Sequence, residues 1–165
     1  MHPRKTYGLI LGGALLWCIA LVLAPACAAW EAVPHWVSSV LYRFFDPICH
    51  QIDARSFHLF GYPLAVCSRC SSIYVAFLAG TVLYPFLYDI NRPGMPSRLL
   101  LFAALLPMVF DAGAGFVGLY SASFLTRSLT GALFGAILPL FIIPAAIEGA
   151  SQLFSTQLQK GTPDA

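Results

Sequence analysis

Residues 7–29 read YGLILGGALLWCIALVLAPACAA, 23 positions without a charged side chain, one residue after Arg4 and Lys5. A helix rises 1.5 Å per residue and the hydrocarbon of a bilayer is about 30 Å thick, so a run of this length is what a membrane crossing needs. Lipid offers no partner for backbone N–H and C=O groups, which leaves the helix as the conformation. The stretch also has the order of a secretory signal: a basic start, an apolar run, then the small residues Ala26-Cys27-Ala28-Ala29. The apolar run is long for a cleaved signal, which favours a retained span.

The rest of the chain has the same character. Of its 165 residues 59% are apolar or aromatic and 10% charged, and mean hydropathy is +0.78. A soluble domain of this size cannot hide so much apolar surface, and lipid takes the place of a core. Nine Lys and Arg stand scattered against seven Asp and Glu, a net charge of +2 that excludes the basic footprint of a nucleic-acid binder.

Three more spans follow, at about Ser71 to Tyr88, Arg98 to Phe116 and Leu125 to Ala146. Between the first two, from Trp30 to Arg69, Glu31, Arg43, Asp46, Asp53, Arg55 and His58 interrupt the chain too often for a crossing. Here Trp36, Val37, Val40, Leu41, Phe44 and Phe45 recur at helical spacing, which predicts an amphipathic helix lying in the interface. Asn91-Arg92-Pro93-Gly94 predicts a turn between spans two and three, and a segment with Gly118, Tyr120, Ser121 and Ser123 joins spans three and four. The expected fold is an all-α integral membrane bundle of about four transmembrane helices, with an interfacial helix and a Cys/His-containing loop between the first two spans. Residues 1–150 form one polytopic domain and 151–165 a polar tail. Four spans put both termini on one side, and Arg4 and Lys5 make that side the cytoplasm of a multi-pass cell-membrane protein. The cysteine segment is then outside.

Cys18 and Cys27 fall in the first apolar block, where a thiol acts as a small hydrophobe. Cys67-Ser68-Arg69-Cys70 differs: it is a C-x-x-C pair where a polar segment enters a span. Both sulfurs can converge on one partner from one helical face, and the positive end of the helix, with Arg69 beside it, favours thiolate. Upstream, Cys49-His50-Gln51 adds a third sulfur and an imidazole, a Cys₃His set of the kind zinc accepts. Adjacent residues diverge on helix and strand alike, so Cys49 and His50 ligate together only from an irregular turn; otherwise one of them stands behind the ligands.

Two further groups stand out. Arg55 and His58 are three apart and could hold an anionic group from one helical face. Asp111 lies deep in the third span, where an ionised carboxylate needs a partner, and Arg127 at the start of the fourth is the candidate across a short connection.

Taken together, Cys49-His50-Gln51, Arg55-Ser56-Phe57, Gly61, Val66-Cys67-Ser68-Arg69-Cys70 and Ile73-Tyr74 resemble the signature of domain-of-unknown-function family 2085. The likeness continues through Pro107, Asp111 and Gly118 to Arg127, Thr130-Gly131 and Gly135. The resemblance implies a polytopic membrane protein and lends no reaction. Three functional readings remain open from the residues. The first is a transition-metal site at Cys49, His50, Cys67 and Cys70, zinc or an iron–sulfur centre. The second is a thiol–disulfide oxidoreductase using Cys67 and Cys70 with a quinone or other redox partner. The third is a non-catalytic subunit in which the cysteines form a staple and Arg55, Arg69 and Arg127 receive an anion.

Overall fold

The computed structural model describes residues 3–91, 94–119 and 122–160, with side chains described as far as Gln152. Arg92 and Pro93 of the expected turn, Tyr120 and Ser121 of the third connection, and the end of the tail from Gly161 lie outside the described residues. Among the described residues four stretches are long and apolar enough to cross a membrane: Pro3–Ala29, Ser68–Leu87, Arg98–Phe116 and Phe124–Gln152. They correspond to helix α1 (Pro3–Ala29), α3 (Ser68–Leu87), α4 (Arg98–Phe116) and the pair α5 (Phe124–Ile137) and α6 (Pro139–Lys160). The last crossing is interrupted at Leu138. Pro139 supplies no N–H there, and its ring crowds the carbonyl one turn back.

Local chemistry sets the ends. Ser97 caps α4 by accepting from the Leu99 N–H at 3.3 Å, and Ser123 caps α5 by accepting from the Thr126 N–H at 3.2 Å. α4 stops at Gly118, whose φ of +77° only glycine adopts freely. The following Leu119 N–H turns back to the Ala114 carbonyl at 3.0 Å, which closes the helix C-terminus.

The expected interfacial helix is α2 (His35–Phe45). Its Phe45 is fully buried and its Ser38 hydroxyl donates to the Ala24 carbonyl of α1 at 3.0 Å, while Trp36, Val40 and Phe44 remain exposed. One face thus grips the bundle and the other offers large apolar groups to the interface.

Beyond α2 the chain makes a single 3₁₀ turn, Asp53–Arg55, and a two-stranded antiparallel hairpin, β1 (His58–Leu59) with β2 (Tyr62–Pro63). Phe60 and Gly61 turn it with φ of 56° and 84°, the left-handed pair of a tight two-residue hairpin. The hairpin is an addition to the all-helical expectation. Tyr42 ties it to α2 by donating its hydroxyl to the Pro63 carbonyl at 2.5 Å.

α3 and α5 both start at the cysteine end and run parallel, with α4 returning between them in sequence. Their contact is made by Gly131 and Gly135, one helical turn apart. A Cβ at Gly131 would stand 2.6 Å from the Arg69 carbonyl oxygen, and one at Gly135 would collide with the backbone of Ile73. Small residues at this spacing let membrane helices meet backbone to backbone. At the opposite end Tyr7 of α1 donates its hydroxyl to the Thr81 carbonyl of α3 at 3.0 Å.

Candidate functional site

Cys49 follows α2 in an irregular turn. Its N–H, like that of Ile48, donates to the Phe45 carbonyl at 3.0 Å, and buried Phe45 anchors the turn from below. Gln51 then takes a left-handed conformation, φ 47°, and donates its side-chain amide to the Tyr42 carbonyl at 2.6 Å. The chain leaves through the hairpin and returns with Ala65 and Val66, both fully buried, to Cys67. Cys67 is the N-cap residue of α3 in extended conformation, and Cys70 sits in the first turn. Ser71 holds this entry by donating to the Cys67 carbonyl at 3.1 Å.

The result is a group of three sulfurs, Cys49, Cys67 and Cys70, all within 4.8 Å of one another. Cys49 is buried and the other two half-buried, and all three thiols are free. The Cys67 N–H donates to the Cys49 sulfur at 3.2 Å. The Cys67 thiol is lowered to about 5: the Cys70 thiol hydrogen bond contributes most, joined by the Cys70 N–H, the Cys49 thiol and the Arg69 N–H, against the opposing effect of burial. The two N–H groups among these donors are those that a helix N-terminus leaves free; the thiols come from the neighbouring cysteines. Leu21, Ala24 and Phe45 line the group from below, with Trp17 and Tyr74 packed against the same cluster. The Trp17 and Tyr74 rings meet edge to face at 5.6 Å.

His50 does not join them. It is exposed and lies outside the three-sulfur group, because a residue adjacent to an inward-facing cysteine points away even in an irregular turn. Arg55 and His58 do not share a helical face either. Arg55 is exposed on the 3₁₀ turn, and His58, on β1, pairs with Asp53 at 3.1 Å in the open. The chain changes from a 3₁₀ turn at Arg55 to an extended strand at His58, so the two side chains sit on different elements.

The partner of Asp111 is corrected as well. Among the described residues its ion pair is with Arg69, not with Arg127. Arg69 reaches from the first turn of α3 across to α4, where the Asp111 side chain is 5% exposed. Arg127 makes no ion pair with a described residue, and its Nε is buried without a hydrogen-bond partner. Sequence distance favoured the short α4–α5 connection, whereas the pair closes between α3 and α4, from residues 42 apart in the chain.

Fold and site together define a small polytopic membrane protein with a thiol cluster at the entrance of its second span. Residues 49–141 match the model of the family described as "Predicted membrane protein (DUF2085)". The chain also aligns at 34% identity over 148 residues, 88% of its length, with 95% of an uncharacterized protein of Methanocaldococcus jannaschii. The chain belongs to the DUF2085 family. No solved structure matches it.

Proposed function

We propose that the protein holds a single transition-metal ion of the zinc class through Cys49, Cys67 and Cys70 at the membrane surface. The observation that carries this reading is the convergence of three sulfurs, from two segments eighteen residues apart, within 4.8 Å of one another. Ligands about 2.3 Å from one tetrahedral zinc stand roughly 3.8 Å apart, so small side-chain rotations bring the sulfurs to that distance. Thiolates that share one ion lie closer together than those bound to different irons of a cluster, so the spacing favours the single ion over an iron–sulfur centre. The N–H donor on Cys49 and the low pKa of Cys67 suit thiolate ligands. With His50 turned outward, the fourth position falls to solvent or an external ligand, as in zinc sites that act as Lewis acids.

The membrane is the solvent for this domain, taken as residues 1–150. Arg4 and Lys5 support cytoplasmic termini, with the cysteine group on the opposite side. Metal analysis of protein purified without chelator tests the proposal. One zinc per chain is expected in the wild type and none in Cys67→Ser; a wild type with no stoichiometric metal that takes up none from added zinc overturns it.

One observation favours a second reading, thiol–disulfide exchange by Cys67 and Cys70 with a quinone or other redox partner. Cys67 is acidified by its neighbours as a nucleophilic thiol is. Alkylation trapping in cells separates the two. Exchange requires Cys67 and Cys70 to be found both oxidised and reduced, whereas a metal site keeps them reduced.

A further inference from the structure

Three cysteines leave a fourth coordination position without a protein ligand, and two aromatic side chains beside the sulfurs bear on what fills it. Tyr74 stands four residues after Cys70 in α3, on the same helical face and one turn further into the span. Helical side chains lean toward the N-terminus, so the long tyrosine side chain carries its hydroxyl back over the turn that holds Cys70. The phenol lies within electrostatic reach of Cys70, Cys49 and Cys67, yet is hydrogen-bonded to none of them. Trp17 comes from α1 against the same cluster. Its ring meets Tyr74 edge to face at 5.6 Å and also contacts Phe44 at 5.5 Å and Phe45 at 5.2 Å, so three neighbouring rings fix its direction.

The hydrogen bonds at this corner do not close. The indole nitrogen of Trp17 is dry and has no hydrogen-bond partner among the described residues, although it approaches the Tyr74 hydroxyl. An indole donates and cannot accept. If the two groups join, the Trp17 N–H donates to the phenol oxygen and the Tyr74 proton is left over; if they stay apart, both protons are. Leu21, Ala24 and Phe45 surround the sulfurs with apolar groups, and an unmet donor in such surroundings is costly.

We infer that Tyr74 and Trp17 hold a small hydrogen-bond-accepting anion, of the size of hydroxide or azide, at the fourth position of the metal bound by Cys49, Cys67 and Cys70. This rests on the metal reading and adds the class of ligand to it. The class follows from the donors, an O–H and an N–H beside the sulfurs, which select lone pairs and favour negative charge. Three thiolates already outweigh the charge of a divalent ion. An anion therefore stays only if donors meet it, and that is the role of these two side chains.

The test uses the full chain in a neutral detergent, loaded with cobalt(II) in place of zinc. Visible absorption then reports thiolate ligation and the fourth ligand separately. Sodium azide is titrated against sodium chloride at equal ionic strength. The wild type should show a saturable change of the d–d bands with azide. Tyr74→Phe should raise the azide Kd about tenfold or more and Trp17→Phe by a smaller factor, while cobalt stoichiometry and the thiolate charge-transfer bands stay as in the wild type. The two substitutions reach the corner from different helices, so a variant that fails to fold leaves the other to decide. A chain that takes up no cobalt overturns this inference together with the metal reading. Cobalt held by the cysteines, with azide binding no better than chloride or equally well in the wild type and both variants, overturns this inference alone.

Discussion

The Cys67 N–H donates to the sulfur of Cys49 at 3.2 Å, across eighteen residues of chain. That bond orients Cys49 toward the start of α3 and leaves its neighbour His50 facing outward. It also places a positive hydrogen on the sulfur, which favours the anionic ligand form.

The first prediction follows from that arrangement. Cys49→Ser should weaken metal retention by ~100-fold or more, while His50→Ala should change it by less than ~10-fold, the range of residues that only support ligands. Competition with a chromogenic chelator measures both. Equal losses in the two variants would make His50 a ligand and require the turn at Cys49 to rearrange.

The second concerns pH. In metal-free protein the Cys67 thiol, lowered to about 5, should be alkylated at a rate that is half-maximal near that pH, where an ordinary thiol needs about 8.5. A depressed acid favours its charged form in the folded state. Its contribution to stability is therefore fully present above the unfolded pKa, declines as pH falls and is lost below about 5. Cys70→Ala removes the main donor and should move the alkylation midpoint upward. A midpoint that stays put in Cys70→Ala means the backbone N–H groups dominate instead.

How far the sequence alone reached can be judged from particular residues. The spans were legible because uncharged runs such as 7–29 have one explanation in water, and α2 because Trp36, Val40 and Phe44 keep helical spacing. Convergence of Cys49 with Cys67 and Cys70 could be anticipated from residue chemistry. Two features resisted. Phe60-Gly61 lacks the asparagine or aspartate that usually announces a tight hairpin. The Arg69–Asp111 pair depends on which helices are neighbours, and four apolar helices of similar composition carry little information about their packing order.

Packing order does leave one trace, in Gly131 and Gly135. Alanine at Gly131 places a Cβ 2.6 Å from a carbonyl oxygen, and alanine at Gly135 meets the backbone of Ile73. Backbone cannot swing aside as a side chain would, so each substitution should cost about 1–3 kcal/mol, the usual scale of overpacking. Gly113, also helical, has nothing within 4 Å of a built Cβ. Gly113→Ala should stay within ~0.5 kcal/mol of wild type. Unfolding in mixed micelles ranks the three. A harmless Gly135→Ala would mean that α3 and α5 do not meet there.

The last prediction concerns the buried ion pair. Asp111→Asn leaves the Arg69 guanidinium inside the bundle without its carboxylate and should destabilise by roughly 3–5 kcal/mol, as removal of one partner of a buried pair does. Arg69→Gln strands the carboxylate instead and should cost about as much. The double variant, two amides able to hydrogen-bond each other, should lose clearly less than the sum, because neither charge is then left alone. Additive losses in this cycle would show that Arg69 and Asp111 do not depend on one another. Asp111 would then owe its position in α4 to another contact, and the register of α4 against α3 would need to be redrawn.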